Sequence, residues 1–75
     1  MNNQRRKEIK NVVKELENIK NTINSILIDE QFCYDNMPEN LQGSTRAINS
    51  EDAIDNLNDA CDLIDDVIGS LDMVN

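Results

Sequence analysis

The chain contains no histidine and no tryptophan, one phenylalanine, one tyrosine, one proline, two glycines and two cysteines. Each scarcity closes a class of function. Without histidine there is no imidazole general base, no Ser-His or Cys-His nucleophile pair and no histidine-ligated zinc. Two cysteines cannot close a four-thiolate site. No enzymatic activity, cofactor or metal is therefore expected. Basic residues are scarce too, with 7 Lys+Arg against 15 Asp+Glu and a net charge of −8. A nucleic-acid binder needs clustered Lys and Arg to neutralise phosphates, so direct nucleic-acid binding is not expected. The longest apolar run is Ile26-Leu27-Ile28, far short of the roughly 20 residues that span a membrane. Arg5-Arg6-Lys7 leads into no apolar stretch of the kind a secretory signal carries. The composition predicts a cytoplasmic protein without membrane association. A length of 75 residues allows one small domain.

What is present is helical periodicity. Ile9, Val12, Leu16, Ile19, Ile23 and Ile26 follow spacings of 3, 4, 3, 4, 3, an a/d heptad seam. The next a position is Glu30 and the next d is Cys33, while Val13 and Leu27 at e widen the stripe. Neither Gly nor Pro interrupts residues 1–37, and a helix is predicted from about residue 4 to about 34. Ile54, Leu57, Cys61, Ile64, Ile68 and Leu71 repeat the same spacing, with Ala53, Ala60, Val67 and Val74 at g. A second helix is predicted from about residue 51 to about 73. Ser50 is its expected N-cap, and Glu51 and Asp52 place negative charge on its first turn. Gly69 is its weak point and is expected to fray the last turn.

The connection, residues 35–50, holds Met37-Pro38-Glu39-Asn40-Leu41-Gln42-Gly43, which reads as a short helical turn with Pro38 at its start and Gly43 just past its end. Asp35 or Asn36 is its expected cap. No segment alternates with the period of a strand. Two helices and one connection predict an all-α antiparallel helical hairpin over residues 1–75. The charges agree with that orientation. Residues 1–20 hold six bases and three acids, and residues 51–75 hold eight acids and no base. Antiparallel docking sets the basic start of one helix beside the acidic end of the other. Facing residue numbers should then sum to roughly 85, which keeps Cys33 and Cys61 too far apart for a disulfide. Both are expected in the seam as small hydrophobes. One seam makes a thin core. The surplus apolar flanks, e on the first helix and g on the second, predict a homodimer forming a four-helix bundle.

The most visible polar feature is a ladder of Asp55, Asp59, Asp62 and Asp66, spaced 4, 3, 4 on the face opposite the seam. Neighbouring carboxylates on such a face lie about 5–6 Å apart, close to the phosphate spacing of a nucleic-acid strand. Two readings are open: a solvated face that keeps a small protein dissolved, or a docking face that imitates a phosphate backbone and occupies a basic groove on another protein. The ladder repels itself and contains no Lys, which a face built only for solubility would include. Calcium is not indicated, because Asp55-Asn56-Leu57-Asn58-Asp59 lacks the ligand at position 3 and the glycine of an EF-hand loop. A carboxylate-bridged di-metal bundle would need Glu-x-x-His. Arg5-Arg6-Lys7 is read as balancing the acidic end of the second helix. Tyr34, Met37 and Leu41 in the connection either form a secondary docking site or close the open end of the hairpin.

The string Tyr34-Asp35-Asn36-Met37-Pro38-Glu39-Asn40-Leu41-Gln42-Gly43-Ser44, followed by Arg46 and by Ala53-Ile54-Asp55-Asn56-Leu57, resembles small acidic helical proteins of Firmicutes genomes and their phages. Thr45 and Ala47 depart from a more acidic, Gly-containing stretch of that pattern. The resemblance covers roughly residues 30–66 and implies a phage or mobile-element origin, hence a host-cytosol location. It carries no site residues. By analogy of type, it implies an inhibitor that occupies a basic surface on a host nucleic-acid-binding or defence protein. The alternative is a structural or oligomerisation module with no acidic docking function.

Overall fold

A computed structural model describes residues 1–74. Helix α1 runs Asn3–Asp35, a single 3-10 turn covers Glu39–Leu41, and helix α2 runs Thr45–Asp72. The described residues are 86% helical, contain no strand, and form two helices packed on each other as a hairpin. The predicted bounds of α1 differ from the observed ones by one residue at each end. Its start is set by Asn2, whose side chain accepts a hydrogen bond from the Arg5 backbone N–H at 2.8 Å. Its end is set by Asn36, whose side-chain and backbone N–H groups both donate to the Phe32 carbonyl, at 2.8 and 3.1 Å. Asn36 thus caps α1 and not the short turn.

The start of α2 is a correction. The helix begins at Thr45, six residues before the expected start, and its N-cap is Ser44. Ser44 Oγ accepts from the Ala47 N–H at 3.3 Å and donates to the Leu41 carbonyl. Gly43 makes this possible. With φ at +81° it occupies the left-handed region that other residues avoid, and it turns the chain from the 3-10 turn into α2. Pro38 lies just ahead of the 3-10 turn. Ser50, the expected cap, sits one and a half turns inside α2, where it is buried and donates to Glu30 Oε1 of α1 at 2.6 Å. Gly69 does not end the helix, which continues to Asp72.

The antiparallel register agrees with expectation. Lys20 pairs with Asp65 and Tyr34 donates to Glu51, both pairs of numbers that sum to 85, while the Glu30–Ser50 bridge on the other side of the seam sums to 80. The seam on α2 is the expected one: Ile54 and Cys61 are buried, Leu57, Ile64, Ile68 and Leu71 half-buried, and Ala47 and Ser50 extend it toward the tip. The seam on α1 is rotated. Ile9, Leu16 and Ile23 at a turn inward as expected, but Val12, Ile19 and Ile26 at d are 44, 50 and 51% exposed, and Cys33 is exposed as well. The inward column is e instead: Val13, Lys20, Leu27 and Tyr34 are half-buried, along with Glu30 at a. The aliphatic stripe of α1 spans columns d, a and e, about 100° of arc, and one partner helix covers only two of them. Choosing e brings Lys20 onto Asp65 and Tyr34 onto Glu51.

The resulting rod is 60 × 15 × 12 Å with a radius of gyration of 17.3 Å, against about 11 Å for a compact chain of this length. It exposes 5757 Å², whereas a folded monomer of its mass is expected to expose about 4,700 Å². No residue of α1 is fully buried, and α2 buries only Ala47, Ser50, Ile54 and Cys61.

Candidate protein-docking surfaces

Of the three side-chain bridges between the helices, Lys20–Asp65 at 2.6 Å and Tyr34–Glu51 both join an e position of α1 to an e position of α2. They identify one long side of the hairpin. Continuing outward from e, columns b and f of α1 carry Lys7, Lys10, Lys14 and Glu17, with Arg6 at e. Columns b and f of α2 carry Asp52, Asp55, Asp59, Asp62 and Asp66, and column e adds Glu51, Asp65 and Asp72. All eight acids of residues 51–75 therefore fall on this flank. Each end of the rod brings residues of both helices together as expected: Arg6, Ile9, Lys10 and Val13 share a groove with Leu71, Asp72 and Val74.

The ladder stands as the spacing placed it. Asp55, Asp59, Asp62 and Asp66 are all exposed, and none makes a hydrogen bond or ion pair with another described residue. Among the described residues the sole ion pair is Lys20–Asp65. Its hydrogen bond raises the Lys20 amine above its ordinary value, with the Asp65 charge adding to the effect and desolvation opposing it. Arg5, Arg6 and Lys7 form no ion pair with the described residues at the end of α2. The Lys20–Asp65 pair lies more than three turns further along α1, so any charge balance at this end of the rod acts at long range.

The expected loop residues divide. Met37 and Leu41 are half-buried and line a cleft of about 520 Å³ at the tip, together with Glu30, Cys33, Arg46 and Ser50. Tyr34 is drawn aside to Glu51, whose hydrogen bond is the main cause raising the phenol above its ordinary value, desolvation being the second. Among the described residues, no three Cys, Asp or Glu side chains gather where they could hold a metal ion. No helix of the described residues is long and apolar enough to cross a membrane.

A surface that the heptad seams do not account for lies on the opposite side. Heptad geometry puts column d of α1 and column g of α2 together on the flank away from the e–e bridges. There Val12, Ile19, Ile26 and Cys33 run beside Ala53, Ala60, Val67 and Val74. Val67 is 48% exposed and Val74 is 38% exposed. Further out on α2, column c carries Asn49, Asn56, Leu63 and Ser70, so α2 shows no charge on this side from Ala47 to Val74. The signal was in the sequence: three adjacent apolar columns are one more than a hairpin partner covers. The chain matches no known family model, no curated protein and no solved structure.

Proposed function

We propose that this chain is a non-enzymatic protein-binding module that docks the acidic face of α2 on a basic surface of another protein. One observation carries the reading: Asp55, Asp59, Asp62 and Asp66 are exposed and unpaired on a stretch of helix without a single Lys or Arg. A row of unneutralised carboxylates raises the association rate of a basic partner and selects it by charge. The remaining parts of the reading rest on the resemblance of the central string: a phage or mobile-element origin, action in the host cytosol, and inhibition of a nucleic-acid-binding or defence protein by imitation of its nucleic acid. Within the reading the chain acts as a homodimer, binds no nucleic acid or membrane directly, and needs no cofactor.

The test is capture of a basic protein from host lysate by the immobilised chain, run beside a variant with Asn at all four ladder positions. Retention by the wild type that is lost both in high salt and in the variant supports the reading. Retention that the variant keeps removes the ladder from function.

A second reading, a structural or oligomerisation module, is favoured by the exposed row of Val12, Ile19 and Ile26. No captured partner, with stable self-association, decides for it.

A further inference from the structure

We infer that the uncharged flank is covered by a second copy of the chain, in a two-fold pair with both tips at the same end and α1 of each copy lying over α2 of the other. This rests on the homodimer named in the proposed function and assigns its surface and arrangement.

Surface area is the first argument. The rod exposes about 1,000 Å² more than a folded monomer of its mass should. Its long face, 60 Å by 12–15 Å, offers about 800 Å², which is what each partner contributes to a standard interface. Column chemistry is the second. Columns d of α1 and g of α2 contain only Val, Ile, Ala and Cys from Val12 to Cys33 and from Ala53 to Val74. An acidic or basic partner would find nothing to pair with along them. A second copy brings an identical uncharged strip.

Two face-to-face hairpins can be related by a two-fold axis along the rod or across it. An axis across the rod puts α1 over α1 in antiparallel register. Ile19 then meets Ile26 of the other copy, while the alanines of α2 meet alanines and leave a gap. It also sets Glu15 opposite Asp29 of the other copy, and like charges directly opposed are unfavourable. An axis along the rod keeps every residue at its own level. On this flank the levels follow the Glu30–Ser50 hydrogen bond, whose numbers sum to 80. Ile19 is then level with Ala60, Ile26 with Ala53 and Val12 with Val67. With tips together, each isoleucine of one copy enters the space above an alanine of the other, the large-against-small layering that fills a core. Glu8, Glu15 and Asp29 at the rim come beside the Asn, Ser and Leu of column c of α2. The basic first turns of α1 lie over the acidic end of the other α2, and the Asp ladders of both copies stay outward.

The test joins mass, mutation and distance. Light scattering on the wild type is expected to give twice the 8.5 kDa of one chain at micromolar concentration. Ile19→Gln with Ile26→Gln is expected to weaken the pair about 100-fold or more, while Ile28→Gln, on the outward column f of α1 where Ile28 is 59% exposed, leaves it unchanged. Because the double variant can also lose helix, a second readout keeps Val12, Ile19 and Ile26: spin labels at Asn40→Cys in a Cys33→Ser, Cys61→Ala background, whose mass by light scattering is checked against the wild type. Tips together give a label separation well under half of the 60 Å rod. A separation close to the rod length overturns the arrangement. A monomer at every concentration overturns the homodimer reading and the inference together. A dimer that ignores the double variant, or that breaks with Ile28→Gln, keeps the homodimer and overturns the inference alone.

Discussion

The two long flanks of this hairpin are built from the same two helices and have opposite chemistry. On one, Lys20 reaches Asp65, Tyr34 reaches Glu51, and the bases of α1 run beside the acids of α2. On the other, Val12, Ile19 and Ile26 lie open to solvent beside alanine and valine. The difference follows from arithmetic on a helix surface. Each helix of a two-helix rod can turn only two columns inward, so columns on both sides of the seam remain outside. Where those columns are charged the fold is complete as it stands. Where they are aliphatic the fold has surface left over. A thin seam and a surplus flank therefore come from one cause, a stripe on α1 that is three columns wide.

Both flanks depend on the seam they share. Leu16→Asp or Ile64→Asp places an unpaired carboxylate between the helices and is expected to cost about 2–4 kcal/mol, with loss of the helical circular dichroism signal. Ile19→Asp, on a half-exposed site of the uncharged flank, is expected to cost a monomer much less. Equal effects at Leu16 and Ile19 would show that column d is buried after all.

Next is the tip, where Ser44 and Ser50 are the two serines able to cap α2. Ser44→Ala removes the observed N-cap and is expected to lower stability by about 1 kcal/mol, read from the thermal midpoint. If Ser50→Ala instead behaves as the cap mutant, with α2 shortened by hydrogen exchange, the helix begins at Glu51. On the charged flank, Asn at Asp55, Asp59, Asp62 and Asp66 removes the self-repulsion and is expected to leave stability the same or higher, within about 1 kcal/mol. Binding of a basic partner should lose its salt dependence in the same variant.

Gly69 sharpens the picture further along α2. A Cβ added there meets nothing within 4 Å, so Gly69→Ala is expected to stabilise by about 0.5–1 kcal/mol through backbone entropy alone. The smallest expected effect is on pH dependence. Tyr34 and Lys20 are both held above their ordinary values of 10.0 and 10.5 by hydrogen bonds to Glu51 and Asp65. A raised folded-state pKa contributes stability that is full below the unfolded value and lost as pH rises through the folded one. Their contribution should thus be flat from pH 7 to 9 and decline above about pH 10, and Tyr34→Phe should remove the tyrosine part of that decline.

Sequence alone determined the elements. Thirty-odd residues without Gly or Pro and an unbroken 3, 4 repeat make a long helix whatever it packs against, and opposed charge in the two halves sets them antiparallel. The outward position of the Asp ladder followed as well, because it lies half a turn from the α2 seam. Tertiary structure decided three things that local pattern leaves degenerate. A 3, 4 repeat is the same spacing for columns a and d as for a and e, so only packing on the partner helix selects between Ile19 and Lys20 as the residue turned inward, and here it is Lys20, paired with Asp65. Ser44 and Ser50 are equivalent caps by composition, and Ser50 is removed from that role because Glu30 of the other helix accepts its hydroxyl. Cys33 is an aliphatic-like residue at a heptad position, yet it is exposed, because the column it belongs to is the one a single partner helix cannot reach.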